Sequence, residues 1–358
     1  MNNAIKKILD KKVAWLADKG PDKDIAITSR IRLARNIDGY PFPINAKDES
    51  LVEIIDTVNF ATTKTDALQE SFKIRLKDLN PFERRILMER RLVSKEFISN
   101  KRTSGIVINK EENLSIMINE EDHLRIQALD SGLQLEAVWE KLNKLDNELS
   151  QNMGFAYDKK LGFLTSCPTN VGTGMRASVM LHLPALRLTN QVAPLINGVK
   201  RLGYEVRGIF GEGSESLGNL YQISNQSTLG EREEDIIFKL NKIILKVIEH
   251  EKDARIYLLE KEQNLLLDNV GRAYGVLRHA YLLNGQEATN SLSALRLGVD
   301  MGMFTAVDLH LVNDLFVLIQ AAHLQNYYGN SLTQKDRDIV RAEIIRAKLK
   351  DLERKIKQ

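Results

Sequence analysis

Thiol, glycine and guanidinium chemistry meet in one stretch, Leu164-Thr165-Ser166-Cys167-Pro168-Thr169-Asn170-Val171-Gly172-Thr173-Gly174-Met175-Arg176, which holds the single cysteine of the chain. Pro168 pushes Cys167 toward an extended or turn conformation. Gly172 and Gly174 bracket Thr173 and would let backbone amides approach a ligand closely. Arg176 ends the loop with the side chain best shaped to hold phosphate oxygens. The combination fits a nucleotide or phosphate site. A tight turn around a buried, inert thiol fits the same residues.

Two further clusters share that character. In Ile25-Ala26-Ile27-Thr28-Ser29-Arg30-Ile31-Arg32-Leu33-Ala34-Arg35-Asn36 the alternation predicts a strand with Arg30 and Arg32 pointing the same way. Two arginines on one strand face repel unless they are solvated or an anion sits between them. Asn119-Glu120-Glu121-Asp122-His123-Leu124-Arg125 follows an apolar strand directly. Acids on a loop held by a rigid strand are well placed for catalysis. A fourth stretch runs from Arg207 to Gly218 and carries four glycines, Gly208, Gly211, Gly213 and Gly218, with Glu212 among them. That composition predicts a mobile, lid-like loop.

The elements that must position these groups can be read from periodicity. Apolar spacing predicts helices over 3–18, 48–76, 81–98, 132–152 and 192–202, with Gly20-Pro21 and Asn80-Pro81 as breaks. Strands are expected at 106–108, 114–118, 160–165, 176–183, 204–209 and 220–224. Thr228-Leu229-Gly230-Glu231 has the pattern of a capping box opening a long helix. From about residue 253 onward only helical patterning remains, with breaks near Asn284-Gly285, 298–302 and Gly329-Asn330. The boundary is placed near residue 254, between an α+β part and an all-helical part.

Bulk properties bound the class. A length of 358 residues, 43% of them hydrophobic, suggests two domains with sizeable cores. A net charge of +3 against 28% charged residues gives no sign of a nucleic-acid binder. One cysteine excludes an intramolecular disulfide framework and fits a reducing cytosol. Residues 1–10 lack an apolar signal core, and no window suits a membrane span. A cytoplasmic protein is expected.

Taken as a set and in this order, Thr28-Ser29-Arg30-Ile31-Arg32, the Asn119–Arg125 stretch, Cys167–Arg176, and Arg207-Gly208 with Gly211-Glu212 resemble the phosphagen (ATP:guanido) kinases. That family includes creatine and arginine kinases, and the resemblance covers residues 20–254. It implies a largely antiparallel sheet flanked by helices. The first motif begins at Thr28, so the separate N-terminal helical domain of small-guanidine kinases is expected to be missing. Instead the helical C-terminal part contains Arg337-Asp338-Ile339-Val340-Arg341-Ala342. This is similar to the RDxxRA phosphoarginine-pocket motif of the bacterial protein-arginine kinases. The implied organisation is an N-terminal helix (1–20), a catalytic domain (21–254) and a helical C-terminal domain (255–358).

The resemblance also implies roles. Arg30, Arg32, Arg125, Arg176 and Arg207 would grip the ATP phosphates. Thr28, Ser29, Ile31, Ala177, Ser178, Val179, Met180, Gly208, Ile209, Phe210, Gly211 and Glu212 lie at the surrounding nucleotide-site positions. Arg91 stands nearest to a family position usually held by a nucleotide-contacting histidine. The sequence has no G-x-x-x-x-G-K-[ST] pattern, which argues against a Walker-type site. A guanidinium acceptor has a pKa above ~12, so something must remove a proton. Glu121 matches the catalytic glutamate, Glu212 the second substrate glutamate, and Cys167 the reactive cysteine. Glu120, Asp122 and His123 would orient the loop or reach magnesium through water, His123 in a structural role. ATP and Mg2+ are expected, with no dedicated protein metal site. Arg337, Asp338 and Arg341 would form an allosteric phosphoarginine site, with Thr333 as helix N-cap and the two arginines on one face. Implied partners are arginine-bearing proteins, a zinc-binding activator, a Clp-type protease in a stress response, and a second copy bound through the C-terminal domain. A phosphoarginine-binding adaptor without catalysis and a small-guanidine kinase remain the alternatives.

Overall fold

The computed structural model describes residues 1–358 except 18, 209–215, 305, 306, 308, 330 and 351–358. Strands β1 (Ala26–Arg35), β2 (Ser71–Arg75), β3 (Gly105–Asn109), β4 (Leu114–Ile118), β5 (Leu124–Ser131), β8 (Met175–His182), β9 (Tyr204–Gly208) and β10 (Leu220–Asn225) hydrogen-bond in the order β2-β3-β4-β5-β1-β8-β10-β9. A separate ribbon pairs β6 (Tyr157–Asp158) with β7 (Gly162–Phe163). The ladders from β2 through β1 are antiparallel.

The chain divides into two compact units that interleave along the sequence. The first comprises Met1–Trp15, Thr28–Val179 and Ser224–Lys242, and the second Leu16–Ile27, Met180–Ile223 and Ile243–Gln358. In the first unit, α2 (Asp48–Thr62) packs on β4 and on α5 (Leu135–Asn152), and α5 packs on β5. Ile31, Leu33, Ile54, Val58, Ile116, Ile126, Val138 and Leu142 are fully buried there. Strand alternation sends the odd residues of β1 toward this core.

The second unit is mainly helical. It holds α6 (Pro184–Leu188), α7 (Val192–Arg201), α9 (Gln263–His279), α10 (Gly285–Asp300), α11 (Leu309–Leu318), α12 (Ala321–Tyr328) and α13 (Gln334–Leu349). Its interior carries charge. Arg296, 1% exposed, donates from Nη1 to His182 Nδ1 at 3.1 Å, from Nη2 to Lys23 O at 2.9 Å and from Nε to Asn313 Oδ1 at 3.1 Å. Glu251 accepts from the Ala185 and Leu186 amides at 3.1 and 3.0 Å and from Arg255 Nε at 3.0 Å. Buried charges persist only when paired in this way.

Several expected elements differ. The helix expected over 3–18 is α1 (Asn3–Leu9) followed by a short 3-10 turn, Ala14–Leu16. The helix expected over 48–76 stops at Thr62, and Ser71–Arg75 instead forms the edge strand β2, paired on β3. Leu124–Ser131 is a full strand, and the strand expected over 160–165 shrinks to Gly162–Phe163. No capping box forms at Thr228: its hydroxyl donates to Val171 O at 2.7 Å, and α8 (Glu233–Lys261) begins later. That helix runs unbroken through residue 254.

Candidate active site

Four arginines expected to act together converge in the first unit. Antiparallel pairing sets Arg30 opposite Leu129, Arg32 opposite Gln127 and Ala34 opposite Arg125. Even-numbered β1 residues therefore share a sheet face with Arg125, away from the Ile31 and Leu33 core. Burial first, then the charges of Arg91, Arg125 and Arg176, push the Arg30 pKa down to about 9. Arg32 is pushed well down by burial and by Arg30, Arg125 and Arg176, and Glu120 partly offsets this. A guanidinium keeps its proton in such a site, so the cluster is a pocket of concentrated positive charge. Arg32 Nε is buried without a hydrogen-bond partner. An anion with several oxygens would satisfy that group and relieve the mutual repulsion.

Several of the other expected nucleotide-site positions are tied into the sheet. Thr28 Oγ1 donates to Asp130 O at 2.9 Å and Ser29 Oγ to Gly132 O at 2.8 Å. Ile31, Ala177, Val179 and Met180 are core residues. The Ala177 amide donates to Asn225 Oδ1 at 2.8 Å, and Ser178 Oγ donates to Arg30 O at 3.3 Å. Arg176 donates from Nη2 to Ser224 Oγ at 3.0 Å. Arg207 belongs to the second unit, where it is exposed and paired with Glu205 at 2.6 Å, with Gly208 closing β9 after it. Ile209, Phe210, Gly211 and Glu212 lie outside the described residues.

The acidic loop is held from three sides. Asn119 adopts φ +61° and its side-chain amide donates to Leu51 O and Thr103 O at 2.9 and 3.0 Å. Glu120 is buried, paired with Arg125 Nη1 at 2.6 Å and accepting from the Ser94 hydroxyl. Asp122 accepts from Asn36 Nδ2 at 2.7 Å and from the Ser166 amide at 2.6 Å. The Ile37 amide donates to His123 Nδ1 at 3.0 Å, so Nε2 carries the proton and donates to Pro41 O at 3.0 Å. Burial lowers the His123 pKa, and both ring nitrogens are used in scaffolding. Glu120 and Asp122 are buried, whereas Glu121 is the exposed acid of the loop. Partial desolvation, then Asp122 and, more weakly, Glu120, raise its pKa above the ordinary 4.5, against a lowering from Arg125.

Ser166 joins this loop to the cysteine loop. Its hydroxyl donates to Glu121 O at 2.8 Å, next to the Cys167 backbone. Cys167 is half-buried, with Sγ 3.0 Å from Thr169 Oγ1. The glycines of the loop are required by close backbone packing. A Cβ on Gly172 (φ +111°) would lie 2.2 Å from Thr228 O, and one on Gly174 (φ +63°) 2.6 Å from Ala34 O. Both are needed where backbone meets backbone.

Sequence reasoning passed over Arg35 and Asn36. Arg35 is 1% exposed, bidentate to Asp146, stacked on the Phe163 ring at 3.5 Å, and donates to Ala34 O and Thr173 O. The signal was parity: an odd β1 position faces the core, and an arginine there requires a carboxylate. Asn36 donates to Asp122 and Leu164 O and accepts from the His123 amide. It thus ties β1 to both functional loops.

In the second unit, Thr333 caps α13 as expected and forms a capping box with Asp336. Arg337 and Arg341 are held differently. Arg341 is 5% exposed and donates to Ile319 O, to Leu283 O and to Asp338 Oδ1 at 3.1, 2.7 and 2.6 Å. Arg337 Nη1 donates to Leu332 O at 2.9 Å. Asp338 and two backbone carbonyls are thus the partners of Arg341. An open groove lies alongside, lined by Leu282, Leu283, Asn284, Glu287, Gln334, Lys335 and Asp338.

Among the described residues no helix is long and apolar enough to cross a membrane, and no three acidic, histidine or cysteine side chains form a cluster able to hold a metal.

Comparison with known proteins places the chain in a family. Residues 53–254 match the model of the ATP:guanido phosphotransferase C-terminal catalytic domain. Residues 263–358 match the protein-arginine kinase McsB C-terminal domain. A protein-arginine kinase of Halothermothrix orenii is 46% identical over 347 residues, covering 97% of this chain and 99% of that protein. One of Halalkalibacterium halodurans is 43% identical, with 94% and 95% covered. A lombricine kinase crystal structure superposes with TM-score 0.57 at 26% identity, over 66% of this chain and 69% of that one. The duplicated taurocyamine kinase of Schistosoma mansoni shares the fold, with TM-score 0.60 at 22% identity over 89% and 49%. On these matches the chain belongs to the ATP:guanido phosphotransferase family, within its protein-arginine kinase branch.

Proposed function

We propose that the chain transfers the γ-phosphoryl group of ATP to a guanidino nitrogen of arginine side chains in proteins. The observation that carries this reading is the cluster of Arg30, Arg32, Arg91, Arg125 and Arg176 in the same unit as Glu121 and Cys167. The relatives named protein-arginine kinase supply the acceptor class.

Phosphoryl transfer is mainly positioning and charge neutralisation. The clustered arginines would bind the phosphates, with Arg207 contributing by resemblance. Glu121 would take the proton that the guanidinium nitrogen loses as its N–P bond forms and the bond to ADP breaks. A raised pKa suits a carboxylate that must accept a proton in that step. By resemblance, Cys167 and Glu212 would help to hold the guanidinium fork. Mg2+ would arrive on ATP and neutralise phosphate charge. Glu120 and Asp122 are committed to Arg125, Ser94, Asn36 and Ser166, so phosphate oxygens and water would be its ligands.

A second site for phosphoarginine on α13 is part of the proposal. Asp338 and Glu287, which both line the groove, would receive the guanidinium there. Dimerisation, a zinc-binding activator and a stress-response link to Clp-type proteolysis rest on the resemblance alone.

The test is acceptor choice. ADP release should be stimulated by a folded, arginine-bearing protein and hardly at all by free L-arginine. Efficient turnover of the free amino acid would restore the small-guanidine reading.

A further inference from the structure

The segment Met1–Trp15 is stitched to the rim of the arginine cluster. Ile5 and Ile8 of α1 are fully buried, and the Asn2 amide donates to Glu83 Oε1 at 2.6 Å. Arg90, 3% exposed, pairs with Glu112 at 2.8 Å and donates to Lys11 O at 3.0 Å. Trp15 is 5% exposed, and its Nε1–H donates to Arg90 O at 3.1 Å. The next residue, Arg91, lays its guanidinium over the Trp15 ring, 4.7 Å from the centroid.

Arg91 is held in an uncommon backbone state. Its φ is +60°, which is unfavourable for a long L side chain and persists only where the surroundings impose it. Here its amide donates to Met88 O at 2.9 Å and its carbonyl accepts from Gln127 Nε2 at 2.9 Å. Gln127 is the cross-strand partner of Arg32. Arg91 also lies close enough to Arg30 to lower its pKa. Backbone, ring and neighbouring strand thus all fix one guanidinium beside a cluster of like charge. An anion bound there would relieve the repulsion among these like charges.

We infer that Trp15 is a positioning residue of the nucleotide site: its indole face holds the Arg91 guanidinium beside Arg30, making Met1–Trp15 part of the ATP-binding apparatus. This rests on the reading of the arginine cluster as the ATP site. A guanidinium stacked by its face directs its N–H groups outward in the ring plane, the fork geometry that matches phosphate oxygens.

The test measures ATP affinity by calorimetry on the full-length chain with Trp15→Leu, Trp15→Phe, Arg91→Ala and the Leu/Ala double variant. Trp15→Leu should weaken ATP binding about three- to tenfold. Trp15→Phe keeps a ring face and should restore most of the affinity. The double variant should be no weaker than Arg91→Ala. In Trp15→Leu the loss should fall on KM for ATP rather than on kcat, with the KM for the protein acceptor unmoved. In a Trp139→Phe background Trp15 is the only indole left, since the chain has two tryptophans. Its emission should respond to ATP in that background and stop responding once Arg91→Ala is added. The inference is overturned if Trp15→Leu binds ATP like the parent, if the two losses add, or if Trp15 emission ignores ATP. If Arg91→Ala itself binds ATP normally, Arg91 is no nucleotide contact, and that part of the site reading fails separately.

Discussion

Ser166 donates its hydroxyl hydrogen to the carbonyl of Glu121 at 2.8 Å, while its own amide donates to Asp122 at 2.6 Å. The loop bearing the proposed base and the loop bearing the thiol are therefore one mechanical assembly. Ser166→Ala removes the hydroxyl bond and keeps the amide bond. A lost neutral hydrogen bond of about 1 kcal/mol corresponds to a drop in kcat of roughly fivefold, with ATP affinity unchanged. A variant that loses ATP affinity instead would show that Ser166 serves the arginine cluster.

The raised pKa of Glu121 predicts the acid limb of the rate profile. A base must be deprotonated, so activity falls as pH falls through its pKa. Desolvation and the Asp122 charge place that limb above the ordinary carboxylate value of 4.5. Glu121→Gln should cost roughly 10²- to 10⁴-fold in turnover and flatten the limb in the residual rate. A limb that survives this substitution belongs to another group.

His182 makes a prediction about stability. It is fully buried, and desolvation, then the charges of Arg296 and Arg255, hold its pKa well below 6.5. In the unfolded chain the ring takes up a proton below pH 6.5, while the folded ring does not. The stabilising contribution is therefore present above that pH and lost as pH falls, by about 1.4 kcal/mol per unit. The melting temperature should drop between pH 7 and 5.5, and His182→Gln should make that drop shallower. An equal slope in the variant would assign it elsewhere, with His123, buried and also lowered, as the next group to test.

Arg341 and Arg337 should separate folding from binding. Removing Arg341 leaves the buried Leu283 and Ile319 carbonyls without their partner, a cost of about 1–3 kcal/mol for each. Arg337→Ala gives up one bond to Leu332 O and should cost near 1 kcal/mol. Denaturant unfolding of the two variants checks the ratio. Similar losses would show that Arg341 is not the structural member. Binding of phosphoarginine is accordingly best probed with Arg337→Ala and Asp338→Asn.

The order of these elements was legible where one pattern dominated. The alternation of Ile25 to Leu33 placed β1 and the shared face of Arg30 and Arg32, and Thr333 with Asp336 placed the start of α13. Patterns that two structures share were ambiguous. Ser71-Phe72-Lys73-Ile74-Arg75 continues a helical spacing from α2, and only its ladder to β3 makes it a strand. Thr228 has capping chemistry, yet the carbonyls of Thr169 and Val171 reach its hydroxyl. Arg341 reads as an exposed helical arginine until Leu283 and Ile319 carbonyls, 58 and 22 residues away, close around it. Long-range partners of this kind leave no local signature.

The central claim is that phosphate from ATP ends on arginine nitrogen in proteins. It is tested most directly by incubating the chain with ATP, Mg2+ and a folded protein, then mapping phosphate by mass spectrometry under conditions that preserve acid-labile N–P bonds. Phosphate on arginine side chains with the parent chain, and almost none with Glu121→Gln, is the predicted result. Phosphate confined to hydroxyl side chains, or arginine phosphorylation undiminished in Glu121→Gln, would contradict it.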